Sequence, residues 1–210
     1  MVQKLGTDGI WLLNNDCVVS RDSLFKLHDV ILNNSNVIVG SHIKYYYEPN
    51  RFQAVGGGEL SKITGRFALN TNPARQVELN YIHGASIAFS LECLCDVGFF
   101  DEKIFMYCEE VDFCLRAAYA GYKFSVLPIE IFHKEGGSQG VTASVNAWEQ
   151  VLINKYYVLK KNLGWGIWVI FYFLMLIVRS LLPIGLLQAR LGARRVLCHI
   201  FYVKKHENWD

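Results

Sequence analysis

The chain has 210 residues, 52% of them hydrophobic and 14% aromatic, and a formal net charge of +2. Residues 151–210 hold nine Lys/Arg against two Asp/Glu, a balance of +7, while residues 1–150 hold twelve against seventeen, a balance of −5. That split argues against nucleic acid as a partner and for an anionic membrane surface met by a basic, apolar tail. The length suits one domain with a real core, read as residues 1–150, followed by a helical tail, residues 151–210. Six cysteines stand at 17, 93, 95, 108, 114 and 198 without a C-x-x-C pair. Reduced thiols in a cytoplasmic setting are expected, with two disulfides in an exported protein as the alternative. The opening "MVQKLGTDGI" has no apolar segment of the signal-peptide kind.

In chain order, "GIWLL" (9–13) is a continuous apolar run and predicts a buried strand. "SRDSLFKLHDVILNN" places Leu24, Leu27 and Ile31 at helical spacing, with Ser20 or Asp22 available as cap. "NVIVGSHIKYYY" (36–47) is β-branched and aromatic, hence a strand. From Pro49 to Gln76 the pattern dissolves around "AVGGGELSKITG", which reads as a loop with at most a short hairpin. "LNYIHGASIAFS" (79–90) is a strand broken at Gly84, and "LECLCDVG" is a short helix ended by Gly98. After irregular "FFDEKIFMYCEE" comes the helix "EEVDFCLRAAYAG", with Val111, Cys114, Leu115 and Ala118 as its apolar stripe. "YKFSVLP" is a strand, and "EIFHKEGGSQG" runs from a strand end into a glycine loop. Strands alternating with helices predict an α/β sheet that binds ligands at its strand ends.

Three polar clusters fall at strand ends or at a helix start: Asn14-Asn15-Asp16, Glu109-Glu110-x-Asp112, and His133. An aspartate and a histidine at strand ends of one sheet can share a hard divalent cation, Mg²⁺ or Mn²⁺. Such an ion bridges diphosphate oxygens and offsets charge on a departing one. On a helical wheel Glu109, Asp112 and Arg116 share a polar face, and Asp112 and Arg116 have ion-pair spacing. Glu110 lies at the edge of the apolar stripe, near a helix N-terminus that favours its ionised form. That describes a general base for a hydroxyl. Taken singly, N-N-D is usually a turn, E-E-x-D a capped helix start and a lone histidine a structural one.

"GIWLLNNDCVVSRDSLFKL", "AVGGGELSKITG" and the long block from "YIHGASIAFS" to "EIFHKEGGS" resemble the bacterial family 2 glycosyltransferases of the rhamnosyltransferase-like type. The resemblance implies a GT-A fold, Rossmann-like, with a mixed sheet. It implies inverting transfer of a sugar from a nucleotide-diphosphate donor to an acceptor hydroxyl, with a divalent metal on the diphosphate. Asn14-Asn15-Asp16 is similar to the D-x-D element, with Asp16 the metal ligand and Asn14 in place of the first carboxylate. His133 resembles the family's metal-binding histidine. Glu110 stands where the family usually has Asp, one methylene shorter, and takes the role of base. Gly84 resembles the small residue beside the sugars. His83, Glu109, Asn14 and Asn15 are carried as donor- or acceptor-binding residues, and Asp112 and Arg116 as structural support. Family members begin well before the position of this Met1, so the resemblance also implies a sheet without its first strands, the part that binds base and ribose.

"LGWGIWVIFYFLMLIV" (163–178) has no charge, and Lys160, Lys161, Arg190, Arg194 and Arg195 flank the apolar region. Sixteen helical residues reach about 24 Å, short of a hydrocarbon core of about 30 Å. An in-plane or partly embedded helix with Trp165 and Trp168 near the headgroups is expected, with a true span or a soluble buried helix as alternatives. The expected setting is the cytoplasmic face of a bacterial inner membrane, building surface polysaccharide on a lipid-linked acceptor. Two rival readings are a non-catalytic remnant that binds a membrane or partner through its tail, and a sugar-binding module without transfer.

Overall fold

The computed structural model describes residues 8–134 and 141–181, and beyond them 193, 195–197 and 200. The elements are β1 (Gly9–Leu13), β2 (Cys17–Val19), α1 (Asp22–Asn33), β3 (Val37–Tyr45), β4 (Phe52–Val55), β5 (Gly57–Leu60) and β6 (Phe67–Leu69). They continue with β7 (Tyr81–Ile82), β8 (Ser86–Ser90), α2 (Leu91–Val97), α3 (Glu109–Tyr119), β9 (Lys123–His133), α4 (Val141–Leu163) and α5 (Trp168–Ser180). Two units result. One comprises residues Met1–Leu60, Arg66–Lys103 and Glu109–Gly137, the other Ser61–Gly65, Ile104–Cys108 and Ser138–Asp210. Helix α4 runs through residue 150, where composition alone suggested a division.

In the first unit the nine strands among the described residues join one mixed sheet. Strand β3 is its centre, and Ile38, Val39, Gly40 and Ser41 are buried in succession, as a strand covered on both faces requires. Strand β9 lies parallel to β3 along one edge, while β8 and then β4 pair antiparallel along the other. The β3–β9 register shifts after Ser41↔Leu127, and resumes at His42↔Glu130. Pro128 falls in the skipped pair, where its missing N–H costs no ladder bond. Helix α1 covers one face through Leu27 and Ile31, which meet Val39, Ala88 and Ile129. On α3, Phe113 sits 4.8 Å, ring centre to ring centre, from Phe89 of β8.

Several local expectations need correction. Strand β1 pairs only with β8 among the described residues and is half-buried, with Leu12 exposed. Leu24 faces solvent, and Ser23 takes its place in the buried stripe of α1. Neither Ser20 nor Asp22 caps that helix, because Ser20 Oγ bonds Ser23 Oγ instead. On α3 the buried stripe is Val111, Asp112, Phe113, Cys114 and Ala117, and Ala118 is exposed. The stretch 49–76 is no loop, since it carries β4, β5 and β6. Gly57 and Gly58 within it are strand residues, needed for close approach. A Cβ at Gly57 would overlap the Tyr81 carbonyl, and one at Gly58 the Tyr81 ring. The glycine loop after Lys134 lies outside the described residues.

The second unit contains α4 and α5, which meet at Gly164 (φ 63°). Trp168, Tyr172 and Leu176 form the buried face of α5. The Tyr172 hydroxyl donates to the Leu152 carbonyl at 2.6 Å, and Trp168 Nε1 donates to the Gly164 carbonyl at 3.1 Å. No helix among the described residues is long and apolar enough to cross a membrane. In the same unit Tyr107 and Cys108 both carry φ of 69°, a left-handed backbone that L side chains rarely adopt. Asn154 of α4, buried, donates from Nδ2 to the carbonyls of Met106 at 2.6 Å and Tyr107 at 3.0 Å. Strain of this kind persists where the surroundings over-determine it. Asn154→Ala removes that clamp and leaves carbonyls unpaired, so urea unfolding should report a loss of about 2 kcal/mol. A change within about 0.5 kcal/mol would show that the clamp does not hold the turn.

Candidate active site

The site begins where β1 ends. Asn14 and Asn15 leave the strand, Asn14 N–H donates to the Ala85 carbonyl at 3.1 Å, and Cys17 N–H closes the turn onto the Asn14 carbonyl at 3.1 Å. This tight return lets β2 run antiparallel to β9 with Cys17 directly opposite His133. The Lys134 N–H donates to the Asp16 carbonyl at 3.1 Å and extends the ladder by one bond. The outcome is that Asp16 Oδ1 lies 3.0 Å from His133 Nε2. Asn14 Nδ2 comes to 3.5 Å from the same nitrogen. Asn15 is exposed in the turn.

His133 is buried, and its Nδ1 lies 2.8 Å from Gln53 Oε1. A carboxamide oxygen only accepts, so Nδ1 carries the hydrogen. In the neutral ring that leaves Nε2 as the free ligand atom, with Asp16 Oδ1 and the Asn14 carboxamide beside it, so a cation bound there would meet one nitrogen and one carboxylate oxygen. Asp16, Cys17 and His133 place one ligand atom each within 4.8 Å of one another. Ligands at right angles on an octahedral ion with bonds of about 2.1 Å are about 3.0 Å apart, which the Asp16–His133 separation matches. The donors therefore fit a divalent cation. Cys17 is a poorer third donor: its thiol bonds the Ala85 carbonyl. Burial, with Asp16 beside it, pushes the thiol up to about 11, and a neutral thiol is a weak ligand.

The turn His83-Gly84-Ala85 adjoins this pair on one side and Glu110 on the other. His83 Nδ1 accepts from the Ala85 N–H at 3.1 Å, and the His83 ring centre is 6.5 Å from that of His133. Burial, and secondarily His133, lowers His83 to about 4, so its ring is neutral near pH 7. At Gly84 a Cβ would lie 3.5 Å from the Glu110 carboxyl carbon, so the glycine backbone faces that carboxyl directly. Glu110 stands in the first turn of α3, where the helix dipole favours a carboxylate. Glu109 is beside it, with Oε2 buried and without a hydrogen-bond partner among the described residues. Burial raises its carboxyl above the usual range.

Asp112 corrects the helical wheel: it is fully buried rather than on a solvated polar face. Its Oδ2 accepts from Arg116 Nε at 2.9 Å. Arg116 also donates to the carbonyls of Val97 at 2.5 Å and Phe99 at 2.9 Å. The pair has the ion-pair contact its spacing suggested, and Arg116 bonds the end of α2 and the residues after it. Periodicity could not foresee the burial, because an arginine that reaches two carbonyls takes its partner inward.

The model of glycosyl transferase family group 2 matches residues 9–204. The chain belongs to that family. No curated protein matches it. The match spans both units, and the mixed sheet is consistent with a GT-A glycosyltransferase fold. Membership makes the chain a glycosyltransferase, with a nucleotide-sugar donor and an acceptor as substrates. Within this glycosyltransferase the structure brings together Asp16, Asn14, His133, His83, Gly84 and Glu110, and adds Gln53 and Cys17, which the sequence reading passed over. Gln53 lay in the stretch read as loop, and the only signal for it was the "FQAV" alternation. A histidine neutral in the folded state and protonated in the unfolded one costs stability as pH falls. Stability should therefore decline between pH 6.5 and about 4. The decline should flatten in His83→Gln when urea midpoints are followed against pH, and equal slopes would contradict the assignment.

Proposed function

We propose that this glycosyltransferase works with inversion and a divalent cation, and belongs to the bacterial rhamnosyltransferase-like branch. The observation that carries the reading is the meeting of Asp16 and His133 at 3.0 Å, with Glu110 across a single glycine turn. Asp16 and His133 would hold Mg²⁺ or Mn²⁺. When bound, that ion offsets the negative charge gathering on the departing diphosphate. Glu110 takes the proton from the acceptor hydroxyl. The acceptor oxygen bonds to the anomeric carbon from the face opposite the diphosphate. The carbon–oxygen bond to the diphosphate breaks, and its electron pair leaves with the nucleoside diphosphate. Gly84 leaves room for sugar beside the Glu110 carboxyl. Asn14 and Glu109 line the donor and acceptor side, and Asn15 reaches it from the exposed turn.

We place the reaction at the cytoplasmic face of a bacterial inner membrane, on a lipid-linked acceptor that grows into surface polysaccharide. Helix α5 supports this: Ile170, Phe171, Leu174, Ile177, Val178 and Leu181 are exposed apolar side chains along one side. Lys160 lies over the ring of exposed Trp165, 5.5 Å from its centre, a basic and aromatic pair suited to headgroups. The face is apolar, while α5 at 13 residues is short for a crossing.

Sugar transfer from a panel of nucleotide sugars to a lipid-linked acceptor tests the chemistry. Asp16→Ala and His133→Ala should each lower turnover by at least about a hundredfold, and Glu110→Gln by about 10²–10⁴. Chelation should silence the wild type. Turnover unchanged in all three variants would remove these roles. For the membrane, Ile170→Glu with Leu174→Glu should weaken binding to anionic vesicles by more than about tenfold, since each apolar side chain withdrawn from water is worth about 1.5 kcal/mol or more. Equal co-sedimentation would place the surface elsewhere.

A further inference from the structure

Strands β3 and β4 are out of step at one point. Ile43 pairs with Ala54, but Lys44 pairs with Phe52, so Gln53 is an extra residue on β4 with no partner opposite. This is a β-bulge, a device that re-aims a side chain and is common beside active sites. In a regular strand Gln53 and Ala54 would point to opposite faces. Here both are buried, and Gln53 turns its amide oxygen to His133 Nδ1 at 2.8 Å.

A cation on His133 needs the Nε2 lone pair, which places the ring hydrogen on Nδ1. That hydrogen sits on a buried ring, 7% of the residue being exposed. Left without an acceptor it would cost on the order of 1–3 kcal/mol. The competing tautomer carries its hydrogen on Nε2, where Asp16 Oδ1 waits at 3.0 Å, and a proton there occupies the position a metal would take. Gln53 is the described side chain that accepts from Nδ1 and so decides between the two.

We propose that Gln53 is the positioning residue of the metal centre, holding His133 in the tautomer that offers Nε2 to a divalent cation. The proposal rests on the reading of Asp16 and His133 as metal ligands. It makes the bulge a functional feature of β4, and Gln53 acts through His133 without touching substrate.

The test uses the full chain and Mn²⁺ alone. Mn²⁺ affinity is measured by electron paramagnetic resonance in the wild type, Gln53→Met, Gln53→Glu and Asp16→Ala. Ring ¹⁵N–¹H spectra of His133 are recorded without metal. Gln53→Met keeps the bulk of the side chain and removes its acceptor. It should bind Mn²⁺ about 10–100-fold more weakly and lose the protected hydrogen on Nδ1. Gln53→Glu restores an acceptor and should recover both readouts, which a role in packing alone would not predict. Wild-type affinity in Gln53→Met, with Asp16→Ala unable to bind, overturns the proposal and leaves the metal reading in place. A wild type that binds no Mn²⁺ overturns the metal reading, and this one with it. The ring spectrum of the wild type needs no variant to fold: absence of a hydrogen on Nδ1 overturns the assignment.

Discussion

Strand β2 has three residues, and its pairing with β9 sets what the molecule can do. In that register Cys17 lies opposite His133, and the turn before it carries Asp16 to the ring. The register is held at both ends. The turn bond from Cys17 N–H to the Asn14 carbonyl closes one side, and the bond from Lys134 N–H to the Asp16 carbonyl continues the other. Strand β9 is in turn seated along β3, whose residues Ile38–Ser41 are buried in succession, so His133 inherits its position from the core. An acid and an imidazole distant in the chain meet at 3.0 Å because three strands agree on one alignment.

The turn between β7 and β8 is the second constraint. Its Gly84 lies against Glu110, where a Cβ would make ordinary contact at 3.5 Å, and the same turn supplies the Ala85 carbonyl that receives Asn14 and Cys17. One short segment thereby adjoins the candidate metal ligands and the candidate base. Its histidine stays neutral, so it adds no positive charge to a place where an anionic diphosphate and a cation would sit. Nearby, α3 is kept in place from below by buried Asp112 and the three bonds of Arg116. The helix that carries the candidate base is therefore supported by an ion pair rather than by apolar packing alone.

The second unit obeys a different logic. One side of α5 packs around Trp168, Tyr172 and Leu176, and the side it leaves open is equally apolar. A helix that is apolar all round but buried on one side leaves a face for something other than water.

The order of β1, α1, β3, β8, α2, α3 and β9, the i,i+4 pair of Asp112 and Arg116 and the break at Gly84 were legible in the sequence. Each depends on neighbours in the chain, whose spacing and chemistry a sequence displays directly. Tertiary structure alone decided the rest. The run 49–76 became three strands because glycines there make room for Tyr81, a contact across the fold. Asp112 went inside because its arginine found two carbonyls, and Gln53 joined the site because a bulge in β4 turned it. Leu24 stayed outside and Ser23 went in because the tilt of α1 on the sheet, which periodicity leaves open, selects the buried stripe. Local composition names the groups that can do chemistry, and only packing sets the distances at which they do it.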